Sequence, residues 1–357
     1  VRKLKGLILS GGKGTRLRPI THTQAKQLVP VANQPVLFYG IRAIREAGIT
    51  DIGIVVGDTA AEIKAAVGDG SAFGVKVSYI HQSAPLGLAH AVRESKDFLQ
   101  DSAFVMYLGD NLITHGIKEL VDDFRASQAD AQILLAAVPN PSSFGVAELD
   151  GGGRVVRLEE KPAEPRSNLA LVGVYMFDQA IWRAVEAIKP SARGELEITD
   201  AIQWLVDQGL DVRSHLVTGW WKDTGKLEDM LEANRMVLDE FKTDIRGEVI
   251  DSDVTFKVVV EEGARIVNST VRGPAIIGKN TVIENSYIGP FTAIYFDVHI
   301  KNCEIEHSIV LEQSSLSDVP GLICDSLIGQ KTTVAPSQHK PRAFRFMLGD
   351  HSEVRIF

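Results

Sequence analysis

From about residue 245 onward, apolar side chains return every sixth residue. Val254, Val260 and Ile266 form one run, Ile276, Val282, Ile288, Ile294 and Ile300 a second, and Val310, Leu316, Leu322, Ile328 and Val334 a third. The phase slips near 270 and 305, as insertions at corners would cause. The segments between these positions are short, β-branched and punctuated by Gly, Asn, Ser and Thr. A strand or helix period cannot produce this spacing, whereas a triangular coil with one apolar contact per side can, so the pattern predicts a parallel β-helix. Such a coil needs no partner sheet, so the first two thirds of the chain must supply a separate core.

That earlier part reads differently. Residues 4–10, 51–56, 75–81 and 103–108 are apolar runs expected as strands, and 35–47, 59–67 and 87–99 carry helical spacing between them. This alternation predicts an α/β fold with a mostly parallel sheet covered by helices on both faces. Strands follow over 131–138, 144–158 (with a turn at Gly151-Gly152-Gly153) and 169–177, and Leu227, Met230, Leu231, Asn234, Val237, Leu238 and Phe241 mark one helical stripe. The expected domains are therefore 1–243, 244–335 for the coil, and a tail 336–357 that packs on the coil.

In a parallel sheet of this kind ligands bind beyond the carboxyl ends of the strands. Three sequence features fall there. The first is Leu9-Ser10-Gly11-Gly12-Lys13-Gly14-Thr15-Arg16-Leu17, with Lys26 shortly after. Glycines bring backbone N–H groups close to a phosphate chain, and Arg16 and Lys26 place fixed positive charge beside it. Neither the P-loop string nor the dinucleotide fingerprint is present. The second is Gln82-Ser83-Ala84-Pro85-Leu86-Gly87-Leu88-Ala89-His90, whose glutamine amide suits the N3–H and carbonyl edge of a pyrimidine. His90 reads as packing or surface. The third, Gly109-Asp110-Asn111, sets a carboxylate at a strand end, a hard donor suited to Mg²⁺ together with substrate phosphates; Asp223 in Trp220-Trp221-Lys222-Asp223 is the second such carboxylate. Glu160 suits sugar hydroxyls and Lys161 the sugar phosphate, while Phe144-Gly145-Val146 and Val172-Gly173 are places where backbone could approach a sugar closely. The acids of Glu195-Leu196-Glu197-Ile198-Thr199-Asp200 suit either a helix entry or sugar hydroxyls.

Bulk properties narrow the function. A net charge of −8 over 357 residues argues against a nucleic-acid partner. No apolar run is long enough for a membrane span. Cys303 and Cys324 form neither a zinc pattern nor a disulfide framework, which suggests a reducing, cytoplasmic setting.

The string Gly11-Gly12-Lys13-Gly14-Thr15-Arg16-Leu17-Arg18-Pro19-Ile20-Thr21, with Lys26, resembles the signature of sugar-1-phosphate nucleotidyltransferases. With Pro85-Leu86-Gly87-Leu88-Ala89 and the hexad tail, the chain resembles the long form of the glucose-1-phosphate thymidylyltransferase family, which includes members from archaea and from actinomycete clusters for deoxysugar antibiotics. The resemblance implies a Rossmann-like catalytic domain, a left-handed β-helix, and Mg²⁺-dependent transfer between dTTP and glucose 1-phosphate at the start of dTDP-deoxysugar synthesis. By that pattern Leu9, Gly11, Gly12, Gly14, Thr15, Gln82, Pro85, Gly87 and Asp110 hold the nucleotide. Asn111, Gly145, Glu160, Lys161 and Val172 hold the sugar phosphate, Asp110 and Asp223 the metal, and Arg16, Lys26, Asp110, Asp223 and Lys161 carry the catalysis. Departures are Ala25, where Pro or Ser often precedes the lysine, and Phe144, where the short form has Tyr. A homo-oligomer is expected. The alternatives are UTP or another sugar phosphate, a second acyltransferase activity in the coil using His299 or His307, and a silent nucleotide-sugar sensor.

Overall fold

The computed structural model describes residues 3–12, 14–22, 24–337 and 354. The chain packs into two compact units. The first comprises Val1–Lys13, Ala25–Leu28 and Val36–Asp223; the second comprises Gly14–Gln24, Val29–Pro35 and Thr224–Phe357. Residue pattern and packing thus divide the chain at different places. Nearly all of the expected tail 336–357 lies outside the described residues.

The first unit is built on a nine-stranded sheet. Strand β1 (Leu4–Leu9) is central, parallel to β2 (Asp51–Val56) on one side and to β4 (Ala103–Leu108) on the other; β3 (Lys76–His81) extends the edge beside β2. A strand covered on both faces needs apolar side chains throughout, and Leu7 and Ile8 are both fully buried. Leu7 and Leu9 point into one core, Leu4 and Ile8 into another on the opposite face. Helix α1 (Val36–Glu46) closes the second core with Leu37, Ile41 and Ile44. The expected helix over 87–99 is instead two, α2 (Leu88–Glu94) and a short turn Lys96–Leu99, because the buried Ser95 hydroxyl donates to the Ala91 carbonyl at 2.8 Å at the break.

Beyond β4 the sheet becomes mixed. A long strand, Leu169–Phe177, runs antiparallel to β4 and also pairs with Ala131–Ala137 and Gly145–Leu149. As the glycine turn at 151–153 predicts, the stretch 144–158 forms a hairpin of Gly145–Leu149 and Val155–Glu160. Helices at Ala60–Val67, Lys118–Ala126, Ala180–Ala187 and Ile198–Asp207 and a strand at Val212–Leu216 also belong to the unit. Apart from this sheet, Trp221–Asp223 pairs antiparallel with Asn111–Ile113, matching Asp223 with Asn111.

In the second unit, short strands from Asp244–Ile245 to Thr333–Val334 form three parallel sheets of six, six and five strands, each strand pairing with the third one after it. This is the coil the repeat predicts. Its true repeat is shorter than three sixes, however. Val254, Val271, Ile288 and Ile305 are consecutive register partners, 17 residues apart. Each such turn therefore spends six, six and five residues on its sides, as in Val254, Val260, Ile266 and Val271. A strict six drifts out of phase, so Ile277, Ile283 and Ile323, not Ile276, Val282 and Leu322, point inward. Corners need a left-handed residue, and Asn268, Asn285 and Asn302 supply one with φ of 45°, 47° and 51°. Asn268 donates to Asn285 at 2.7 Å, and the Ser269 hydroxyl accepts from the Ser286 backbone N–H at 3.0 Å, so each corner supports the next. Also in this unit, helix Leu227–Asp239 contributes the buried Asn234, which accepts from the Ala32 N–H at 2.9 Å and donates to the Phe291 carbonyl at 3.0 Å.

Candidate active site

Three strand ends of the first unit meet at the glycine turn. The Ser10 N–H bonds the Val55 carbonyl at 2.8 Å, and the Gly109 N–H bonds the Leu9 carbonyl at 2.9 Å. Leu9 is buried, with its carbonyl occupied in this way, so it underlies the turn. A β-carbon added to Gly11 would lie 3.1 Å from Gln82 Oε1, and one added to Gly12 would lie 3.7 Å from the Lys26 side chain. The turn therefore touches the proposed base reader on one side and a proposed phosphate cation on the other.

Lys26 Nζ donates to the Asp110 carboxylate. Burial alone would raise the Asp110 carboxyl, but the Lys26 charge and hydrogen bond, with Asn111, outweigh it and hold the group below the ordinary carboxylate range. Asn111 Nδ2 donates to Asp110 Oδ1 at 3.1 Å, and Asn111 Oδ1 accepts from Trp221 Nε1 at 2.5 Å. Asp223 is in register with Asn111, and Asp110 immediately precedes that strand, so both proposed metal carboxylates lie at the same end of the paired strands. No group of three or more His, Cys, Asp or Glu side chains poised for a metal occurs among the described residues. Two carboxylates of oxygen donors, one of them held ionised, nonetheless suit Mg²⁺ that takes its remaining ligands from phosphate and water.

Phe144 meets the Trp221 ring edge-on at 5.3 Å, which links this cluster to the sugar-phosphate candidates. A β-carbon on Gly145 would lie 3.0 Å from Glu160 Oε2, which accepts from the Thr199 hydroxyl at 2.7 Å. Arg193 donates to Glu160 at 3.3 Å and to Glu197 at 2.8 Å. Lys161 is half exposed, 3.7 Å from Glu160, and its N–H bonds the Phe144 carbonyl at 3.0 Å. Asp200 stands in the first turn of the 198–207 helix, where burial, Glu197 and Glu160 raise its carboxyl while Arg193 partly counters them. The Val172 side chain is fully buried, so it offers a ligand backbone atoms only, beside the register shift between Val172 and Tyr175.

Gly87 serves a need the sequence did not reveal. With φ of 104°, its backbone abuts Leu196, where a β-carbon would come within 2.4 Å of the Leu196 carbonyl. The Leu196 N–H bonds Leu86 at 2.7 Å, and the Ala89 N–H bonds Leu196 at 3.0 Å. Pro85 and Leu86 are exposed. Gly14, Thr15 and Arg16 pack with the second unit: Gly14 is left-handed at φ 62°, its carbonyl accepts from Thr21 at 2.6 Å, and Arg16 is exposed on the turn Thr15–Leu17. Sequence reasoning assigned no role to Trp221 or Arg193 and read His90 as packing or surface. A histidine one helical turn after the Gly87 helix start was the available signal.

The sheet with its glycine turn, amide, lysine and carboxylates defines a phosphate-handling transferase, and the chain belongs to the nucleotidyl transferase family, whose model matches residues 5–240. Two relatives are glucose-1-phosphate thymidylyltransferases: that of Streptomyces griseus, 58% identical over 354 residues, and that of Streptomyces antibioticus, 57% identical over 355 residues, each match covering 99% of both chains. A Bacillus anthracis crystal structure solved with sucrose, and assigned as a glucose-1-phosphate thymidylyltransferase, matches at a TM-score of 0.63 and 35% identity, covering 68% of this chain and 98% of that one. No helix among the described residues is long and apolar enough to cross a membrane.

Proposed function

We propose that the chain joins dTTP and glucose 1-phosphate into dTDP-glucose with release of pyrophosphate, the first step toward dTDP-deoxysugars. The observation that carries this reading is the run of contacts from Gln82 through Gly11 and Gly12 to Lys26, Asp110 and Asn111, with Asp223 alongside. The two relatives matched end to end support the choice of substrates.

A phosphate oxygen of glucose 1-phosphate attacks the α-phosphorus of dTTP; a new P–O bond forms as the bond to pyrophosphate breaks. A phosphate monoester with a second pKa of about 6 is mostly dianionic at neutral pH, so no general base is needed. The work of the protein is to bring two anions together and to balance charge. Gln82 holds the base, the turn at Gly11 and Gly12 presents backbone N–H groups to the phosphates, and Lys26 and Arg16 neutralise the departing pyrophosphate. Lys26, paired with Asp110 in the free protein, exchanges that partner for the triphosphate. Mg²⁺ held by Asp110 and Asp223 would supply positive charge to the phosphate oxygens. Glu160 engages sugar hydroxyls and Lys161 the sugar phosphate.

The protein is further proposed to act in the cytoplasm, as its two free thiols suggest, and as a homo-oligomer, as the exposed Ile245, Val249, Ile250 and Phe256 of the first coil suggest. Pyrophosphate release across a panel of nucleoside triphosphates and sugar 1-phosphates tests the activity. Release with dTTP and glucose 1-phosphate in preference to UTP and other sugars is expected, and no release with that pair overturns the reading.

A further inference from the structure

Gln82 can read a base only if its amide faces one way. Flipped by 180°, it would present a donor where it now presents an acceptor, and it would favour a different base. The structure contains a device that sets this direction. Gln82 Nε2 lies 3.2 Å from the Gly87 carbonyl oxygen and 3.2 Å from His90 Nδ1. The Gly87 carbonyl can only accept, which assigns the NH₂ group to that side. Gly87 itself cannot shift, because Leu196 brackets it with hydrogen bonds to Leu86 and Ala89.

The second amide hydrogen then points at His90 Nδ1, which must carry a lone pair. The imidazole proton therefore resides on Nε2, facing Glu94 Oε1 at 3.4 Å. His90 is 8% exposed, so its ring has little freedom to turn. With both amide hydrogens engaged, Oε1 is left beside Gly11, at the glycine turn. An oxygen there accepts from a base that carries a hydrogen at N3, such as thymine or uracil, and repels the N3 lone pair of cytosine.

We propose that His90 is a positioning residue that fixes the Gln82 amide oxygen toward the base and so selects pyrimidines with N3–H over cytosine. The proposal rests on the thymidylyl-transfer reading and deepens it. Helix α2 thus sets the specificity of a residue it does not contain, through the chain Glu94, His90, Gln82.

The test compares kcat/KM for dTTP and dCTP, with glucose 1-phosphate saturating, in the wild type, His90→Phe and His90→Gln. Phenylalanine preserves the packing and removes the acceptor; glutamine restores an acceptor oxygen. In His90→Phe the dTTP-to-dCTP ratio is expected to fall at least about tenfold, as for a lost buried hydrogen-bond preference. The change should appear in nucleotide KM, with kcat for dTTP within about threefold. His90→Gln should recover most of the ratio. A purely structural histidine would lower both substrates alike, so an unchanged ratio in active His90→Phe overturns the proposal. A second measurement needs no variant: the ¹⁵N spectrum of the wild-type imidazole should show the proton on Nε2, and a neutral ring protonated at Nδ1 overturns the proposal. If the wild type uses no dTTP, the transferase reading fails, while the ¹⁵N result still decides the His90 contact.

Discussion

The α/β unit and the coil solve opposite problems. In the α/β unit the decisive residues occur once each: Gln82, Lys26, Asp110 and Asp223 have no equivalents, and each hangs from a different strand end or loop. In the coil nearly every position has equivalents one turn away, so Ile266, Ile283 and Ile300 repeat one another's environment. The first unit places irregular chemistry on a rigid sheet; the second spreads the same contact over many turns. The difference teaches that a substitution should act on chemistry in one and on stability in the other.

The sharpest break of that contrast would come from Ile300→Ala. Ile300 is 1% exposed in the coil core, and its truncation is expected to cost about 2–5 kcal/mol in denaturant unfolding while turnover per folded molecule stays near wild type. Lost turnover in still-folded protein would give the coil a part in the chemistry. Asp110→Asn and Asp223→Asn should instead act on the chemistry, lowering turnover per folded molecule at least about a hundredfold; near-normal rates in both would remove the metal assignment. Lys161→Ala, at a half-exposed position, is expected to raise KM for the sugar phosphate about tenfold and to leave KM for dTTP alone, a split readable from initial rates.

The smallest effect concerns pH. The Asp200 carboxyl is raised above its ordinary value, so the folded state keeps its proton more firmly than the unfolded chain does. Its contribution is then most favourable below about pH 4, the unfolded value, and declines as pH rises through the folded value, where a partly buried charge must sit beside Glu197 and Glu160. Asp200→Asn should therefore gain more thermal stability relative to wild type at pH 7 than at pH 4. Equal offsets at both pH values would show that the carboxyl is not strained by its neighbours.

Much of this was legible in the sequence because it rests on local pattern. Strands 4–10 and 103–108 announce themselves as unbroken apolar runs, and the glycine string names its own turn. Asp110 and Asp223 could be paired only by inference, since the pairing of Trp221–Asp223 with Asn111–Ile113 joins segments about a hundred residues apart. The six-residue count revealed the coil but misplaced Ile276 and Val282, because the side from Ile283 to Ile288 takes five residues, and Leu322, because the side from Leu316 to Ile323 takes seven. Gly87 was legible as special but for an incomplete reason: the backbone it admits is that of Leu196. The part of His90 depends on which ring nitrogen holds a proton, a property no linear string displays.

The stacked corners have a consequence for how such chains vary through descent. Since each rung meets only the rung above and below, duplication or loss of 17 codons in frame would add or remove a whole storey and leave the remaining ones seated as before. One codon gained within the Gly11–Gly12 bend has no such neutral outcome, because no neighbouring copy exists to absorb it.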